Sequence, residues 1–429
     1  MTELKRTLGL FKTTLMGVGV ILGAGIYTLI GKAAEVAGNA VWLSFLLAAL
    51  VATLSGLSYA ELSSFIPKAG GEYYYARRAF GRFFAFLLTW LLIVGLAIAA
   101  GAVALGFAGY FNAMFDTSVI WTAVLLIMLT TFLLYFGTEQ AAWIAISCTL
   151  LEIVGVLVII WLGLPEIGSV NYIEFANGSE GIISAAALIF FAYIGFEEVV
   201  QLAEESKQPE KTIPRAVLLS ILITTILYVL VAIAAVSILG WEKLSVSNSP
   251  LADVADHALG NEAFFALSII ALFSTGNTVL IIILSTARLL YGMAENGAMP
   301  RIFANVHSKR QTPHYATFAI SAIAILMVLI LQKIEVIANL TNFAFFTTFI
   351  LINLAVIVLR FKEPMAKRVF RIPFSIRGVP VIPVFAVIST MIMIMNVGWT
   401  AFALGTGMIL IGALIYYFSP NSFIQSSNN

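Results

Sequence analysis

Long apolar stretches alternate along this chain with short polar connections. An apolar run of about twenty residues crosses the hydrocarbon core of a bilayer as a single helix. The pattern predicts twelve such spans, at residues 11–37, 41–66, 82–115, 119–136, 140–164, 181–203, 214–240, 262–293, 315–333, 336–359, 379–396 and 399–418. We therefore expect an all-α membrane protein with twelve transmembrane helices, in which residues 1–429 form one transmembrane domain.

The first span is interrupted near its centre by a glycine pair, Gly23 and Gly25. Glycine weakens a helix, and unpaired backbone at bilayer depth must line protein or a wet cavity. The sixth span, 181–203, is interrupted in a similar way around Gly195. Two interrupted helices in corresponding halves of a membrane chain are typical of a transporter that binds its substrate at the breaks.

The positions of the two interrupted spans also predict an internal repeat. A unit of five helices reverses its orientation when it is repeated, and residues 11–164 and 181–359 each begin with an interrupted helix. We expect these units to be related by a two-fold axis in the membrane plane, as a 5+5 inverted repeat. Residues 379–418 then supply two additional C-terminal helices. The repeat is inferred from the breaks, because no direct repeat of residues is visible.

Composition and charge agree with a membrane protein. The chain is 61% hydrophobic and 10% charged, whereas about a quarter of the residues of a soluble domain are charged. The net charge of +1 indicates no nucleic-acid partner. With the N-terminus inside, all but three of the 23 Lys and Arg residues lie on the inner side, the exceptions being Lys32, Lys243 and Lys333. We therefore expect a multi-pass plasma-membrane protein with both termini in the cytoplasm.

Catalytic and cofactor motifs are not apparent in the sequence. The Gly17-x-Gly19 pair lacks the third glycine and the surrounding strands of a dinucleotide site. The three histidines, His257, His307 and His314, are not at metal-ligand spacing. A channel would need a polar stripe or a charged ring, and none is evident. We expect no enzyme activity, catalytic residue, metal or cofactor.

Four stretches, taken together, carry a family resemblance. They are GVGVILGAGIYTLIGKAA in the first span, YAELSSFIPKAGGEYYYARRAFG after the second, FFAYIGFEEVVQLAEESKQPEKTIPRA in the sixth, and ARLLYGMAENGAMPRIFANVHSKRQTPHYA after the eighth. The chain resembles the amino acid–polyamine–organocation superfamily of permeases, and within it the prokaryotic branch similar to cationic amino acid transporters. The resemblance implies the inverted-repeat fold of sodium-coupled neurotransmitter symporters and the movement of amino acids across a lipid bilayer.

The resemblance also implies a substrate site at the first break. It places the substrate carboxylate against the backbone amides of Gly23, Ala24 and Gly25. This agrees with the general preference of helix N-termini for anions, since the second half of the span begins there. The carbonyl groups of Ile21 and Ala24 are expected to accept hydrogen bonds from the substrate ammonium.

In the sixth span the resemblance assigns matching carbonyl groups to Phe191, Ala192 and Ile194. The ring of Phe191 resembles the aromatic gate that covers the substrate in this family. Glu197 stands where relatives often have an acidic residue that faces the pocket. We expect Glu198 to point elsewhere, because adjacent residues of an α-helix face about 100° apart.

Glu152 is the only charged residue of the fifth span. Several proton-coupled relatives carry a lysine near this position, so their mechanism does not transfer. Because an apolar span favours the neutral form of a carboxyl group, we expect Glu152 to take up and release a coupling proton. Asn277 is expected to hydrogen-bond the protonated carboxyl group. Two alternatives stay open: an ionised Glu152 that binds a cation such as sodium, and a structural hydrogen bond between helices.

These observations predict a secondary active amino acid transporter, with proton symport as the favoured energy source. An amino acid or polyamine exchanger without a coupling ion is an alternative, and so is a substrate-binding sensor with a transporter fold. A site lined by backbone groups binds the head group of any α-amino acid. Glu152 and Glu197 weakly favour a cationic substrate.

Overall fold

The computed structural model describes residues 6, 8–68, 71–136, 139–295, 297–307, 310 and 312–418, and it is almost entirely helical. The helices are α1 (Leu10–Leu22), α2 (Gly25–Ala37), α3 (Val41–Phe65), α4 (Gly71–Phe80), α5 (Arg82–Phe115), α6 (Val119–Phe136), α7 (Glu139–Gly163), α8 (Gly178–Ile189), α9 (Pro209–Val246), α10 (Pro250–Leu259), α11 (Asn261–Glu295), α12 (His314–Leu331), α13 (Ile334–Lys362), α14 (Val381–Met395) and α15 (Trp399–Phe418). Short 3-10 helices occupy Gly38–Ala40, Leu164–Glu166, Phe190–Tyr193, Phe196–Glu205 and Arg301–Ala304. Strands β1 (Ser375–Ile376) and β2 (Val379–Pro380) pair antiparallel between α13 and α14.

Most of the predicted spans correspond to long apolar helices. Ten helical stretches of the described residues are long and apolar enough to cross a membrane, and α1 and α14 are shorter apolar helices. This confirms the predicted helical membrane architecture. The count of twelve spans and the inverted repeat stay predictions.

Two long helices organise the packing of the bundle. α9 packs against α1, α2 and α3, while α5 packs against α11 and α13. Small residues permit these close crossings: a Cβ atom added to Gly56 would lie 2.7 Å from Ile221 Cδ1, and one added to Gly95 would lie 3.0 Å from Ala344 Cβ. Such small-residue contacts are common between helices in membranes, because the hydrophobic effect does not drive helices together in lipid and close packing must do so.

The first span is divided where the sequence predicted. α1 ends at Leu22, and Gly23 leaves helical geometry with φ 19° and ψ −166°. α2 begins at Gly25, with Ala24 as its N-cap residue. The first span is therefore two helices joined by a break of two residues.

The sixth span is divided over a longer stretch. α8 ends at Ile189 and continues as the 3-10 helix Phe190–Tyr193. Ile194 is extended, with ψ 134°, and Gly195 has φ 121°, a value that L-residues with a side chain rarely adopt. A second 3-10 helix, Phe196–Glu205, follows; we call it the inner segment. The predicted break at Gly195 is confirmed.

An ion-pair network connects α3 to the end of α13 and to the polypeptide that follows α13. Arg360 donates hydrogen bonds to both carboxylate oxygens of Glu61, and Arg368 Nε lies 3.4 Å from Glu61 Oε1. Glu61 is 1% exposed and Arg360 is 6% exposed. Buried charges are tolerated in proteins when they are paired and fully hydrogen-bonded, as these are.

Candidate functional site

The two breaks lie directly against each other in the bundle. A Cβ atom added to Gly25 would lie 2.5 Å from Ala192 Cα, and one added to Gly195 would lie 2.8 Å from Val20 Cγ1. Real Cβ atoms do not approach other atoms so closely, so both glycines are needed for the contact. Two crossings, one at each side of the breaks, hold the unwound stretches face to face.

The first break presents unpaired backbone donors. The N–H groups of Gly23, Ala24 and Gly25 donate no hydrogen bond to any described residue. They stand at the N-terminus of α2, where the helix dipole adds partial positive charge. Three converging amides of this kind form a site for a small anionic group such as a carboxylate.

The carbonyl group of Ala24 has a different role from the one predicted. It accepts hydrogen bonds from the backbone N–H of Thr28 at 3.1 Å and from the Thr28 hydroxyl at 2.9 Å. The reason is that Ala24 is the N-cap of α2, and an N-cap carbonyl accepts the first bond of its helix. Ala24 therefore contributes its amide to the site but has no free carbonyl oxygen.

Tyr228 of α9 joins the two breaks, and the sequence analysis did not single it out. Its hydroxyl lies 2.7 Å from the carbonyl oxygen of Ile21, 3.0 Å from that of Leu22 and 2.9 Å from that of Ala192. A hydroxyl has one proton to donate, so two of these three carbonyl groups lack a donor at any moment. The Ile21 and Ala192 carbonyls, both predicted as substrate contacts, therefore share one hydroxyl proton with the Leu22 carbonyl.

The second break presents unpaired carbonyl groups. The carbonyl oxygens of Phe191 and Ile194 accept no hydrogen bond from the described residues. Phe191 is 7% exposed, and both it and Ile194 line a cavity with Ala192 and Gly195. Unpaired acceptors from this break thus lie beside the unpaired donors of the first break.

The orientation predicted for the two adjacent glutamates is wrong. Glu198 lines the cavity, whereas Glu197 is 3% exposed and does not line it. The Glu197 carboxylate folds back to accept hydrogen bonds from the Gly195 N–H, at 3.1 Å and 3.0 Å to its two oxygens. The physical reason is that the turn at Gly195 frees an amide at the start of a 3-10 helix, and a carboxylate in the first turn caps it.

The cavity extends from the breaks to the beginning of α1 and has a volume of about 470 Å³. One face of α1 lines it, from Lys12 through Met16 to Val20. The opposite wall is apolar and is formed mainly by three helices, with Leu96, Ala99 and Val103 from α5, Ile153 from α7, and Ile281 and Ile282 from α11. The cavity is thus polar at the breaks and apolar around them.

Glu152 of α7 also lines this cavity and is 2% exposed. Its carboxylate accepts a hydrogen bond of 2.8 Å from the Ser274 hydroxyl of α11. Asn277, the predicted partner, makes no such bond, because it lies one helical turn beyond Ser274 on the same face of α11. Asn277 is 7% exposed and lines the cavity, and its Oδ1 atom has no hydrogen-bond partner among the described residues.

One kind of metal site is absent from the part of the chain that the structure describes. No group of three or more His, Cys, Asp or Glu side chains there is arranged to hold a metal ion. What the site offers is backbone donors and acceptors, one tyrosine hydroxyl and buried carboxyl groups.

Long apolar helices around a cavity at two helix breaks are typical of a multi-pass membrane protein of the transporter class. The chain belongs to the amino acid permease family: the family model described as "Amino acid permease" matches residues 8–422. This confirms the resemblance found in the sequence.

Several characterised proteins are similar to this chain over most of its length. The branched-chain amino acid permease BcaP of Bacillus subtilis is 33% identical over 97% of this chain and 93% of its own. The methylthioribose transporter of Bacillus subtilis is 30% identical, with the same two coverages of 97% and 93%. The human cationic amino acid transporter 4 is 29% identical over 84% of this chain and 61% of its own length.

Proposed function

We propose that this protein is a proton-coupled amino acid symporter that works by alternating access across the plasma membrane. In this proposal it has twelve spans and both termini in the cytoplasm. Residues 11–164 and 181–359 form inverted five-helix repeats, and residues 379–418 add two helices. The observation that carries the proposal is the apposition of the two breaks, with free amides on one and free carbonyls on the other.

The breaks are chemically complementary to the two ends of an α-amino acid. The substrate carboxylate binds the amides of Gly23, Ala24 and Gly25, and the substrate ammonium binds the carbonyls of Phe191 and Ile194. An ammonium group has three N–H donors. Its third N–H can therefore supply either the Ile21 or the Ala192 carbonyl, while the Tyr228 hydroxyl donates to another of the three that it contacts.

The apolar wall of the cavity supports a substrate with an aliphatic side chain. Six of the residues around the breaks, from Leu96 to Ile282, are aliphatic, and a polar side chain against them would lose its hydrogen bonds to water. The similarity to a branched-chain amino acid permease points the same way. A cationic substrate is the competing proposal, because Glu198 lies in the same cavity.

Glu152 is our candidate for the proton carrier. It lies in the cavity with the breaks and is nearly fully buried, and among the described residues its carboxylate is hydrogen-bonded by the neutral Ser274 hydroxyl alone. A buried carboxyl group without a basic partner is stable in its neutral, protonated form, whereas burying the ionised form costs free energy. Substrate binding nearby can therefore be linked to proton uptake.

Sodium is the second candidate for the coupling ion, and one observation favours it. Asn277 Oδ1 and the second carboxylate oxygen of Glu152 line the same cavity, and neither accepts a hydrogen bond from a described residue. Oxygen atoms of this kind are ligands for hard cations.

The test is uptake into proteoliposomes that contain wild-type protein, Glu152→Gln, or the control Glu262→Gln, which changes an exposed residue at the start of α11. An imposed inward proton gradient should drive accumulation in the wild type and the control. In Glu152→Gln, exchange between internal and external substrate should persist while accumulation is lost. Unchanged accumulation by Glu152→Gln would refute the proton role.

The same vesicles separate the other candidate functions. Accumulation that requires a sodium gradient at equal pH indicates sodium coupling. Exchange without accumulation under any gradient indicates an exchanger. Substrate binding, measured by thermal shift against the common amino acids and polyamines, with no transport indicates a sensor.

A further inference from the structure

A second group of carboxyl side chains lies between the cavity and α4, and the mechanism proposed above does not use it. Glu72 of α4 is 3% exposed, and its Oε2 atom accepts a hydrogen bond of 3.2 Å from Gln201 Nε2 of the inner segment. Glu197 and Glu198 belong to the same inner segment. The start of α4 packs on this segment, since a Cβ atom added to Gly71 would lie 2.9 Å from Val200 Cγ1.

Basic side chains near this group are engaged elsewhere. On α4, Arg77 lies over the Tyr73 ring and Arg78 pairs with Glu363. On α13, Arg360 pairs with Glu61, and Lys362 donates to the Ala79 carbonyl. Lys68 lies over the Tyr74 ring. Lys12 lines the same cavity as Glu198 but is exposed.

A buried hydroxyl beside the carboxyl groups has no partner. Tyr59 of α3 is completely buried, and its Oη atom makes no hydrogen bond with a described residue. Its ring packs edge-on against Phe196, the residue before Glu197. A buried phenol with no partner next to carboxyl groups indicates a small polar occupant between them.

The three carboxyl groups do not have equal environments. Both carboxylate oxygens of Glu197 accept a hydrogen bond from the Gly195 amide, so this side chain is held by the backbone of its own segment. Burial raises the pKa of Glu72 to about 7, and the charge of Glu198 acts in the same direction, against the opposing hydrogen bonds from its own backbone and from Gln201. Glu72 is therefore neutral below about pH 7 and ionised above it.

We propose that Glu72 and Glu198, beside the capped Glu197, form a proton-binding site that is separate from Glu152 and responds to pH on the side where the cavity opens. Glu198 lines the cavity wall, and Glu72 is hydrogen-bonded to Gln201, three residues further along the inner segment. A proton bound by the pair therefore removes negative charge beside the substrate pathway. Loss of that proton leaves an ionised carboxylate in the cavity. This charge attracts the substrate ammonium, or the Lys12 side chain at the beginning of α1, and either interaction slows substrate release.

Infrared titration of the purified full-length protein in nanodiscs tests the site directly. The carbonyl band of a protonated carboxylic acid should disappear as pH rises through about 7 in the wild type. Glu72→Gln should remove this component and Glu198→Gln should move it to lower pH. The control Glu205→Gln, an exposed residue of the same inner segment, should leave it unchanged, and Glu152→Gln should remove only its own band.

A transport measurement tests the consequence. Substrate exchange at equal pH on both sides should slow above neutral pH in the wild type, by up to about tenfold per pH unit if one proton is linked. Glu72→Gln should be nearly flat, Glu72→Asp should restore a pH response, and Glu152→Gln should retain the wild-type response although its accumulation is lost. This last comparison keeps the inference separate from the proposed coupling role of Glu152.

Several results would overturn the inference. One is a wild-type protein with no carboxyl group that titrates between about pH 6 and about pH 8. Another is a titration that neither Glu72→Gln nor Glu198→Gln alters. A third is a carboxylate band that shifts on addition of sodium or potassium at constant pH, which would make the group a metal-cation site.

Discussion

The two helix breaks differ in length, in geometry and in the backbone groups that they expose. The first takes two residues, between Leu22 and Gly25, and an α-helix resumes at once. The second extends over Phe190–Glu205 as two 3-10 helices around an extended residue. Since 3-10 hydrogen bonds have poorer geometry than α-helical ones, the second break is the more deformable of the two. A rigid anion site is therefore set beside an adaptable carbonyl segment.

The connections of the two breaks are also unequal. α1 is linked to the second break at the centre, through Tyr228, and at its beginning, through backbone bonds of 3.0 Å from Leu8 N to Glu205 O and from Lys207 N to Leu8 O. α2 has the Gly25 contact at the break but no such backbone pairing. We therefore expect α1 and the inner segment to move together.

The largest effect is expected from Gly25→Ala. The added methyl group would overlap Ala192, whose Cα lies 2.5 Å from the new atom, so the two breaks must separate. A displacement of about 1 Å at a binding centre costs about 100-fold in rate, and we expect transport to fall by that much. Transport into proteoliposomes, normalised to inserted protein, measures the loss.

The matched control is Gly407→Ala in α15, where an added Cβ atom meets nothing within 4 Å. Its transport should equal that of the wild type, since alanine is also the better helix former. Near-normal transport by Gly25→Ala would contradict the idea that close contact of the breaks creates the site.

A smaller effect is expected from Tyr228→Phe. The change removes the one donor shared by Ile21, Leu22 and Ala192 and leaves buried carbonyl groups unpaired, at a cost of about 1–3 kcal/mol. We expect the melting temperature of the substrate-free protein to fall by about 1–3 °C. A saturating substrate should restore part of the loss, because its ammonium supplies new donors.

Tyr193→Phe is the control for Tyr228→Phe. The Tyr193 hydroxyl is also buried, but it donates to a single carbonyl, that of Phe45, at 3.1 Å. Its removal should lower the melting temperature of the free and the substrate-bound protein equally. Equal behaviour of the two variants would mean that the Tyr228 carbonyls do not meet the substrate ammonium.

The positions of both breaks were predictable from the sequence because the signals are local. Glycines inside an apolar run of membrane length mark Gly23, Gly25 and Gly195 without any knowledge of the partner helix. The family motifs around them predicted the class of protein for the same reason. The contact between the two breaks was also predictable, because interrupted helices in corresponding halves of a transporter chain usually meet at the substrate site.

What the sequence did not predict depends on contacts between distant helices. Tyr228 is one aromatic residue in an apolar span, and nothing local separates it from a core residue. Ser274 and Asn277 occupy the same helix face, so only the depth of α7 against α11 decides which one reaches Glu152. The exchange of roles between Glu197 and Glu198 follows from a 3-10 helix where an α-helix was assumed.

The smallest effect is expected from Lys207→Pro, which tests the linkage between α1 and the inner segment. Proline removes the N–H that donates to the Leu8 carbonyl, and the preceding Ser206 is already extended, with φ −83° and ψ 141°, as a residue before proline must be. One backbone bond contributes about 1 kcal/mol, so hydrogen exchange at the beginning of α1 should accelerate by about fivefold. Lys207→Ala keeps the N–H and should leave exchange unchanged, because the Lys207 side chain is exposed. Exchange in α2 should be the same in both variants. If it accelerates together with exchange in α1, the two halves of the first span open together, which contradicts the expectation that α1 moves with the inner segment.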